Sequence, residues 1–337
     1  MRTVELGTTG EQVSAVALGA MLLGTRTDDA GGFALLDRFT DDGGTFLDTA
    51  DCYAWWEARG TTGGQSEELL GRWFASRPGS RDRTFLSTKG SALIRDLDAV
   101  WPAGSATHDG AEAMRQFVGA SAPVLRRSLE ASLRRLGTDH VDLYYVHVDD
   151  RSTPLEETLA ELAAFVAEGK VRHLGWSNVR AWRLAEIAQL CRQHGWPAPV
   201  ALQQEHSYLQ RRPGLRHGSI VDDEQLDYLE AHPELTLVAY SPLLKGAYDQ
   251  GADERAGNWM LGSYAGPHTD RRLAAVDAIA AETGATGSEV VLAWLMAQSS
   301  PRVIPLVGTT RPDRWARAVA AVDLRLTDEQ LARLDEA

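Results

Sequence analysis

Eight short segments rich in branched and aromatic residues recur along this chain: Val13–Gly19, Thr45–Asp48, Thr84–Thr88, Val141–His147, Arg172–Ser177, Val200–Gln203, Thr236–Ser241 and Arg302–Leu306. Between them lie stretches with helical spacing of apolar residues, such as Leu125, Leu129, Leu133 and Leu136 after the polar start at Ser121. Parallel strands need a crossover between them, and a helix is the usual one, so strands alternating with helices predict a parallel sheet. Eight such units predict an α/β chain folded as a (β/α)8 TIM barrel. No Pro/Ser-rich linker or low-complexity stretch divides residues 1–337, so one domain is expected.

Helix starts are legible in places. Thr153-Pro154-Leu155-Glu156 offers an N-cap at Thr153, a proline at the first helical position and a returning carboxylate. Thr286–Glu289 and Thr327–Gln330 have the spacing of capping boxes. Two connections are long, Gly90–Gly119 and Pro242–Asp270, and are expected to overhang the C-terminal mouth of the barrel, where active sites of this fold sit.

A net charge of −13 argues against a general nucleic-acid surface. Cys52 and Cys191 are too few for a disulfide framework and suit a reducing compartment. Met1–Gly10 holds no apolar signal region, and no apolar run approaches a membrane span, so a cytoplasmic protein with no membrane partner is expected.

Four residues stand at or just past successive strand ends: Asp48, Tyr53, Lys89 and His147. A parallel barrel would bring the ends of neighbouring strands together. Reduction of a carbonyl develops negative charge on oxygen, which a positioned acid must stabilise or protonate. Tyrosine alone is a weak acid, with an ordinary pKa of about 10. An ammonium beside it favours the phenolate and lowers that value. Lys89 would supply the charge, Asp48 would pair with Lys89, and His147 would hydrogen-bond the substrate oxygen. Each residue also has a plainer reading: a turn aspartate, a rim tyrosine, a solvated lysine, a structural histidine.

The segments Phe46-Leu47-Asp48-Thr49-Ala50-Asp51-Cys52-Tyr53, Leu86-Ser87-Thr88-Lys89-Gly90 and Leu143-Tyr144-Tyr145-Val146-His147 resemble the catalytic motifs of the aldo-keto reductases. The resemblance extends through Gln65-Ser66-Glu67-Glu68-Leu69-Leu70-Gly71, through Arg134-Arg135-Leu136-Gly137-Thr138-Asp139, and through Gly169-Lys170-Val171-Arg172-His173-Leu174-Gly175-Trp176-Ser177-Asn178. It implies that Asp48, Tyr53, Lys89 and His147 form the catalytic tetrad, with Tyr53 the general acid, and that a small-molecule carbonyl is the substrate.

No Gly-x-Gly-x-x-Gly follows the first strand, so a Rossmann-type site is not indicated. The resemblance instead implies NADP(H), with NAD(H) the alternative, extended over the barrel mouth. It assigns Gly19, Ala20, Met21, Asp48, Ser177, Asn178 and Gln203 to the cofactor, with Tyr240 stacking on the nicotinamide. Ser241 and Leu243 would face the pyrophosphate, and Gly308, Thr309, Thr310 and Arg314 the adenosine phosphate. Arg317 and Ala318 stand where relatives carry a Glu and Asn for adenine, and Leu306 follows Ile304-Pro305 where several carry lysine. The stretch Ala54–Gly64 is longer than the family's usual short link. Its Trp55, with Met21 and Val148, is expected to line the substrate pocket, and Trp55 and Trp56 read equally well as packing the loop onto the barrel.

Two other functions remain open to the sequence. One is a nicotinamide-binding regulatory subunit resembling potassium-channel beta subunits. The other is a metal-dependent barrel hydrolase, for which no His-x-His pair stands at any strand end. No metal ligand set is expected, and neither the substrate nor the oligomeric state is legible.

Overall fold

Ten strands form in chain order: β1 (Thr3–Glu5), β2 (Gln12–Ser14), β3 (Ala17–Gly19), β4 (Phe46–Asp48), β5 (Phe85–Gly90), β6 (Val141–Val146), β7 (Val171–Ser177), β8 (Ala201–Glu205), β9 (Thr236–Tyr240) and β10 (Val303–Gly308). The computed structural model describes residues 1–337, the whole sequence. β1 and β2 make an antiparallel pair, and β3 to β10 close into a barrel in which β10 neighbours β3. The expected (β/α)8 fold is the observed one.

The chain divides into two compact units. The first runs from Leu18 to Val200 and includes Gly308–Arg311. It carries the barrel strands from β3 to β7, with helices α1 (Asp29–Asp41), α2 (Gln65–Ser76), α3 (Leu97–Val100), α4 (Gly110–Arg115), α5 (Ala122–Leu136), α6 (Leu155–Ala167) and α7 (Ala181–His194). Its strands pair in parallel register, with Gly19 beside Asp48, Asp48 beside Ser87, and Lys89 beside Tyr145. All six residues of β5 and all six of β6 are buried, as parallel strands covered on both faces should be.

The family-like segments outside the strand ends prove to be packing devices. On α2, Glu67 is fully buried, accepts from Thr88 Oγ1 at 2.6 Å and pairs with Arg135 of α5. Ser66 Oγ donates to the Ala20 carbonyl and meets Thr49 Oγ1 at 2.7 Å. A Cβ on Gly71 would come within 2.0 Å of the Arg135 carbonyl oxygen, so glycine is what lets α2 approach α5. Gly137 ends α5 in the left-handed conformation, with φ +64°.

The second unit comprises Met1–Ala17, Ala201–Val307 and Pro312–Ala337. It holds β1, β2 and the strands from β8 to β10. Its helices are α8 (Asp223–Ala231), α9 (Ala252–Ala256), α10 (Thr269–Thr283), α11 (Gly287–Ala297), α12 (Pro312–Asp323) and α13 (Asp328–Asp335). Both expected capping boxes form, at Thr286 with Glu289 and at Thr327 with Gln330.

Two local expectations fail. The segment Val13–Gly19 is two strands: β2 pairs with β1, Ser14 Oγ bonds the Val16 carbonyl at 2.9 Å, and β3 begins only at Ala17. Thr153 does not cap α6, because its hydroxyl donates to Asp150 Oδ2 and the cap falls on Pro154. Both long connections contain structure: α3 and α4 in Gly90–Gly119, and α9 with short 3-10 turns in Pro242–Asp270. Of their aromatics, Trp101 and Tyr264 are buried, whereas Trp259 is 72% exposed.

No helix is long and apolar enough to cross a membrane.

Candidate active site

Strand alternation puts Ser87 and Lys89 on one face of β5, toward Asp48, and Thr88 on the other, toward Glu67. Lys89 is wholly shielded from solvent. Its ammonium has three hydrogens and three acceptors: Asp48 Oδ2 at 2.5 Å, the Thr49 carbonyl at 2.8 Å and Tyr53 Oη at 3.0 Å. The second Asp48 oxygen accepts from Ser87 Oγ at 2.7 Å. A buried charge is tolerable only when paired and hydrogen-bonded, and here both members of the pair are. Because Lys89 donates to the phenol oxygen, the phenol's own hydrogen plays no part in that bond.

His147 follows β6. Its N–H donates to the Gly90 carbonyl, and its carbonyl accepts from the Asn178 side chain at 2.8 Å. Its ring stands edge-on to Tyr53, centroids 5.6 Å apart. Burial, with Lys89 nearby, holds the imidazole well below its ordinary pKa, so the ring is neutral. Cys52 Sγ lies 3.4 Å from His147 Nδ1. Burial and Asp51 push the Cys52 thiol well above its usual range, so it stays protonated. Asp51, Cys52 and His147 have potential ligand atoms within 4.8 Å of one another, although a metal there would have to displace the thiol proton next to a buried ammonium.

Asp51 is fully buried, and neither carboxylate oxygen has a well-formed hydrogen bond, although Ser128 is close enough to favour the anion. Burial and the nearby Glu67 raise its pKa to about 8. Behind it, a Cβ on Gly90 would meet Tyr144 Oη at 2.1 Å, which explains the glycine after Lys89.

The long loop after Tyr53 folds back on this segment. Gly63 adopts φ +92°, and a Cβ there would lie 2.7 Å from the Asp51 carbonyl oxygen. Trp55 is buried in an apolar cluster with Cys52, Ala92, Val100 and Ala113, against which Tyr53, Trp56 and Val148 pack. Trp55 therefore anchors the loop. Trp56 meets the Tyr53 ring at 6.0 Å and the Trp55 ring at 5.6 Å. Arg59 ties the loop to the next connection by donating to the carbonyls of Trp101 and Pro102. Met21 is 36% exposed, just past the Ala20 amide that bonds the Asp48 carbonyl.

Ser177 ends β7, buried, and accepts from the Asn178 amide at 3.0 Å. Asn178 adopts φ +54°, and the cap of α7 is Arg180, so Asn178 is not the helix cap its type invites. Gly308 is exposed, and Thr309 Oγ1 accepts from the Arg311 amide at 3.0 Å. In the second unit, Gln203 is buried within β8 and Tyr240 ends β9. Ser241, Leu244 and Lys245 all have positive φ, uncommon for residues with side chains and concentrated at functional turns. Leu243 lies between them. Arg314 is exposed on the first turn of α12, which opens with Pro312.

Ser87 and Cys52 escaped the sequence reading. A polar residue two positions before Lys89 on a buried strand was a readable sign for Ser87. Cys52 had no such sign, since a cysteine there reads as an ordinary small apolar residue.

The model of the Aldo/keto reductase family matches residues 15–337. The chain belongs to the aldo/keto reductase family. It is 31% identical to the uncharacterized oxidoreductase YrpG of Bacillus subtilis, over 100% of this chain and 95% of that protein. It is 31% identical to norsolorinic acid reductase stcV of Emericella nidulans, over 97% and 79% of the two chains. Among solved structures, the thermostable aldo-keto reductase Tm1743, crystallised with the inhibitor epalrestat, matches 100% of this chain and 99% of its own at a TM-score of 0.70 and 28% identity. This aldo/keto reductase is thus an oxidoreductase that works with a nicotinamide cofactor on a small-molecule carbonyl.

Proposed function

We propose that this aldo/keto reductase reduces an aldehyde or ketone to the alcohol with NADP(H), and that Tyr53 is its general acid. The observation that carries the reading is the buried Lys89 ammonium shared between Asp48 and Tyr53 Oη. Next to His147, Asn178 and its neighbour Ser177 suit a nicotinamide by donor chemistry, offering a neutral amide and hydroxyl appropriate to a carboxamide. The same assignment extends to Gly19, Ala20, Met21, Gln203 and Tyr240. When bound, the cofactor supplies the hydride that reaches the carbonyl carbon.

The chain's part is the proton. As the carbonyl oxygen gains electrons, His147 donates a hydrogen bond to it and Tyr53 Oη transfers its proton, closing the new O–H bond. The phenolate left behind faces the Lys89 ammonium at 3.0 Å and is stabilised by it until solvent returns a proton. Asp48 keeps the ammonium in place. The apolar cluster around Trp55 and Val148 limits water at the reacting oxygen.

Arg314 is the proposed reader of the 2′-phosphate, with Gly308, Thr309 and Thr310 supporting the adenosine end and Ser241 and Leu243 the pyrophosphate. An exposed guanidinium on the first turn of α12 has the charge and planar fork for that group.

Loss of NADPH absorbance across a panel of aliphatic, aromatic and sugar carbonyls tests the reading. Turnover unaffected by a chelator is expected. Tight NADPH binding with no turnover on any carbonyl would overturn it in favour of a cofactor-binding regulatory subunit.

A further inference from the structure

The neutral imidazole of His147 has one hydrogen to place on two nitrogens, and which nitrogen holds it decides whether the ring donates to a carbonyl oxygen or repels it. We propose that Cys52 is a positioning residue that fixes this choice: its S–H donates to His147 Nδ1, which places the ring hydrogen on Nε2. This rests on the reading that His147 hydrogen-bonds the substrate oxygen.

The geometry brings the two groups into contact. Cys52 Sγ stands 3.4 Å from Nδ1, within the reach of a sulfur hydrogen bond, and is only 3% exposed. A thiol is a weak donor and a weak acceptor alike, and the S–H···N direction is the one that gives the buried S–H an acceptor while leaving a hydrogen on Nε2. The thiol keeps its hydrogen, because burial and the adjacent Asp51 both oppose the thiolate. The ring keeps only one, because burial and Lys89 both oppose the imidazolium. The backbone on either side is held. The His147 N–H bonds the Gly90 carbonyl, the Asn178 amide bonds the His147 carbonyl, and Gly63 closes over Cys52 with 3.0 Å between its would-be Cβ and the Cys52 Cα. With Nδ1 engaged, Nε2 is the nitrogen left to meet substrate, and it carries the hydrogen that the developing oxyanion needs.

The test is long-range ¹H–¹⁵N correlation on protein labelled in histidine, with the His147 signals assigned by their loss in His147→Gln. In the parent protein at neutral pH, His147 is expected to show the Nε2–H tautomer. Cys52→Val, similar in bulk but without a donor, is expected to populate the Nδ1–H tautomer and lower kcat by about tenfold with the NADPH Kd unchanged. Cys52→Ser retains a donor and is expected to keep both the tautomer and most of the rate, and Cys52→Ala, also without a donor, repeats the valine experiment if that variant fails to fold. A parent spectrum with the hydrogen on Nδ1, or a tautomer indifferent to loss of the donor, would overturn the inference. If the tautomer shifts in Cys52→Val while kcat does not, Cys52 still sets the tautomer, and the role of His147 at the carbonyl is what fails.

Discussion

Lys89 Nζ lies 3.0 Å from Tyr53 Oη while it also holds Asp48 Oδ2, so one buried ammonium from β5 ties together a carboxylate and a phenol of the segment that follows β4's start. The arrangement balances two demands. The protein must keep a lysine and an aspartate out of water, and the proposed chemistry needs the positive charge beside the phenol.

Replacing Lys89 separates these demands. Lys89→Met leaves Asp48 buried without its cation, a change that typically costs about 3–5 kcal/mol. Urea unfolding should show that loss, and adding Asp48→Asn should recover part of it. Activity should behave differently. Without the ammonium the phenol is a weaker acid, so the rate of carbonyl reduction at neutral pH falls by about 10²- to 10⁴-fold, and its alkaline limb moves to higher pH. Asp48→Asn should restore none of this. A pH–rate series in which Lys89→Met keeps the parent limb and rate would remove Lys89 from the proton step.

Asp51 gives a stability signature independent of catalysis. Its carboxyl is raised to about 8 in the folded chain, against 3.8 as the ordinary value. The folded state therefore binds a proton that the unfolded state releases between those values. Stability linked to this group is fully present below pH 4 and is lost as pH rises toward 8, at a slope of up to about 1.4 kcal/mol per pH unit. Asp51→Asn, which stays neutral, should melt several degrees above the parent at pH 8, with the gap narrowing steadily toward pH 5. Parallel melting curves across that range would contradict the protonated, buried carboxyl.

In the proposed reading, Arg314 carries the cofactor preference. NADP(H) and NAD(H) differ by one phosphate, and a charge-assisted guanidinium–phosphate bond is worth about 1.5–3 kcal/mol, roughly ten- to a hundred-fold in affinity. Arg314→Ala should weaken NADPH by that factor and leave NADH nearly unchanged in a fluorescence titration. Equal losses for both would assign Arg314 to packing instead.

The barrel was legible because its strands are short and rich in branched and aromatic residues, with β6 mostly apolar, while β5 shows its polar Ser87, Thr88 and Lys89 within a buried strand. The errors fell where local hydrogen bonds compete with propensity. Ser14 bonds its own neighbourhood and splits one apparent strand, and Thr153 prefers a nearby aspartate to the helix end. At the site, Asp48, Tyr53, Lys89 and His147 were readable as chemistry standing at strand ends, and the fold brings the four together. Ser87 and Cys52 are less legible, since their importance depends on partners distant in sequence, Asp48 on the neighbouring strand and His147 after β6. Trp55 had two equal readings, and its burial with Val100 and Ala113 settled which neighbours it keeps.

The proton donor is the part of the proposed mechanism with no substitute on the ring, so Tyr53→Phe should isolate it. The variant keeps the aromatic body that packs against Trp56 and His147 and loses only the hydroxyl that Lys89 holds. Single-turnover reduction of an aldehyde found to be a substrate, followed by loss of NADPH absorbance, should slow by about 10²- to 10⁴-fold, the usual contribution of a general acid. The NADPH Kd, measured on the same preparation, should stay within a few-fold of the parent. A folded Tyr53→Phe protein that binds NADPH normally and still reduces the aldehyde at close to the parent rate would contradict the assignment of Tyr53 as the acid.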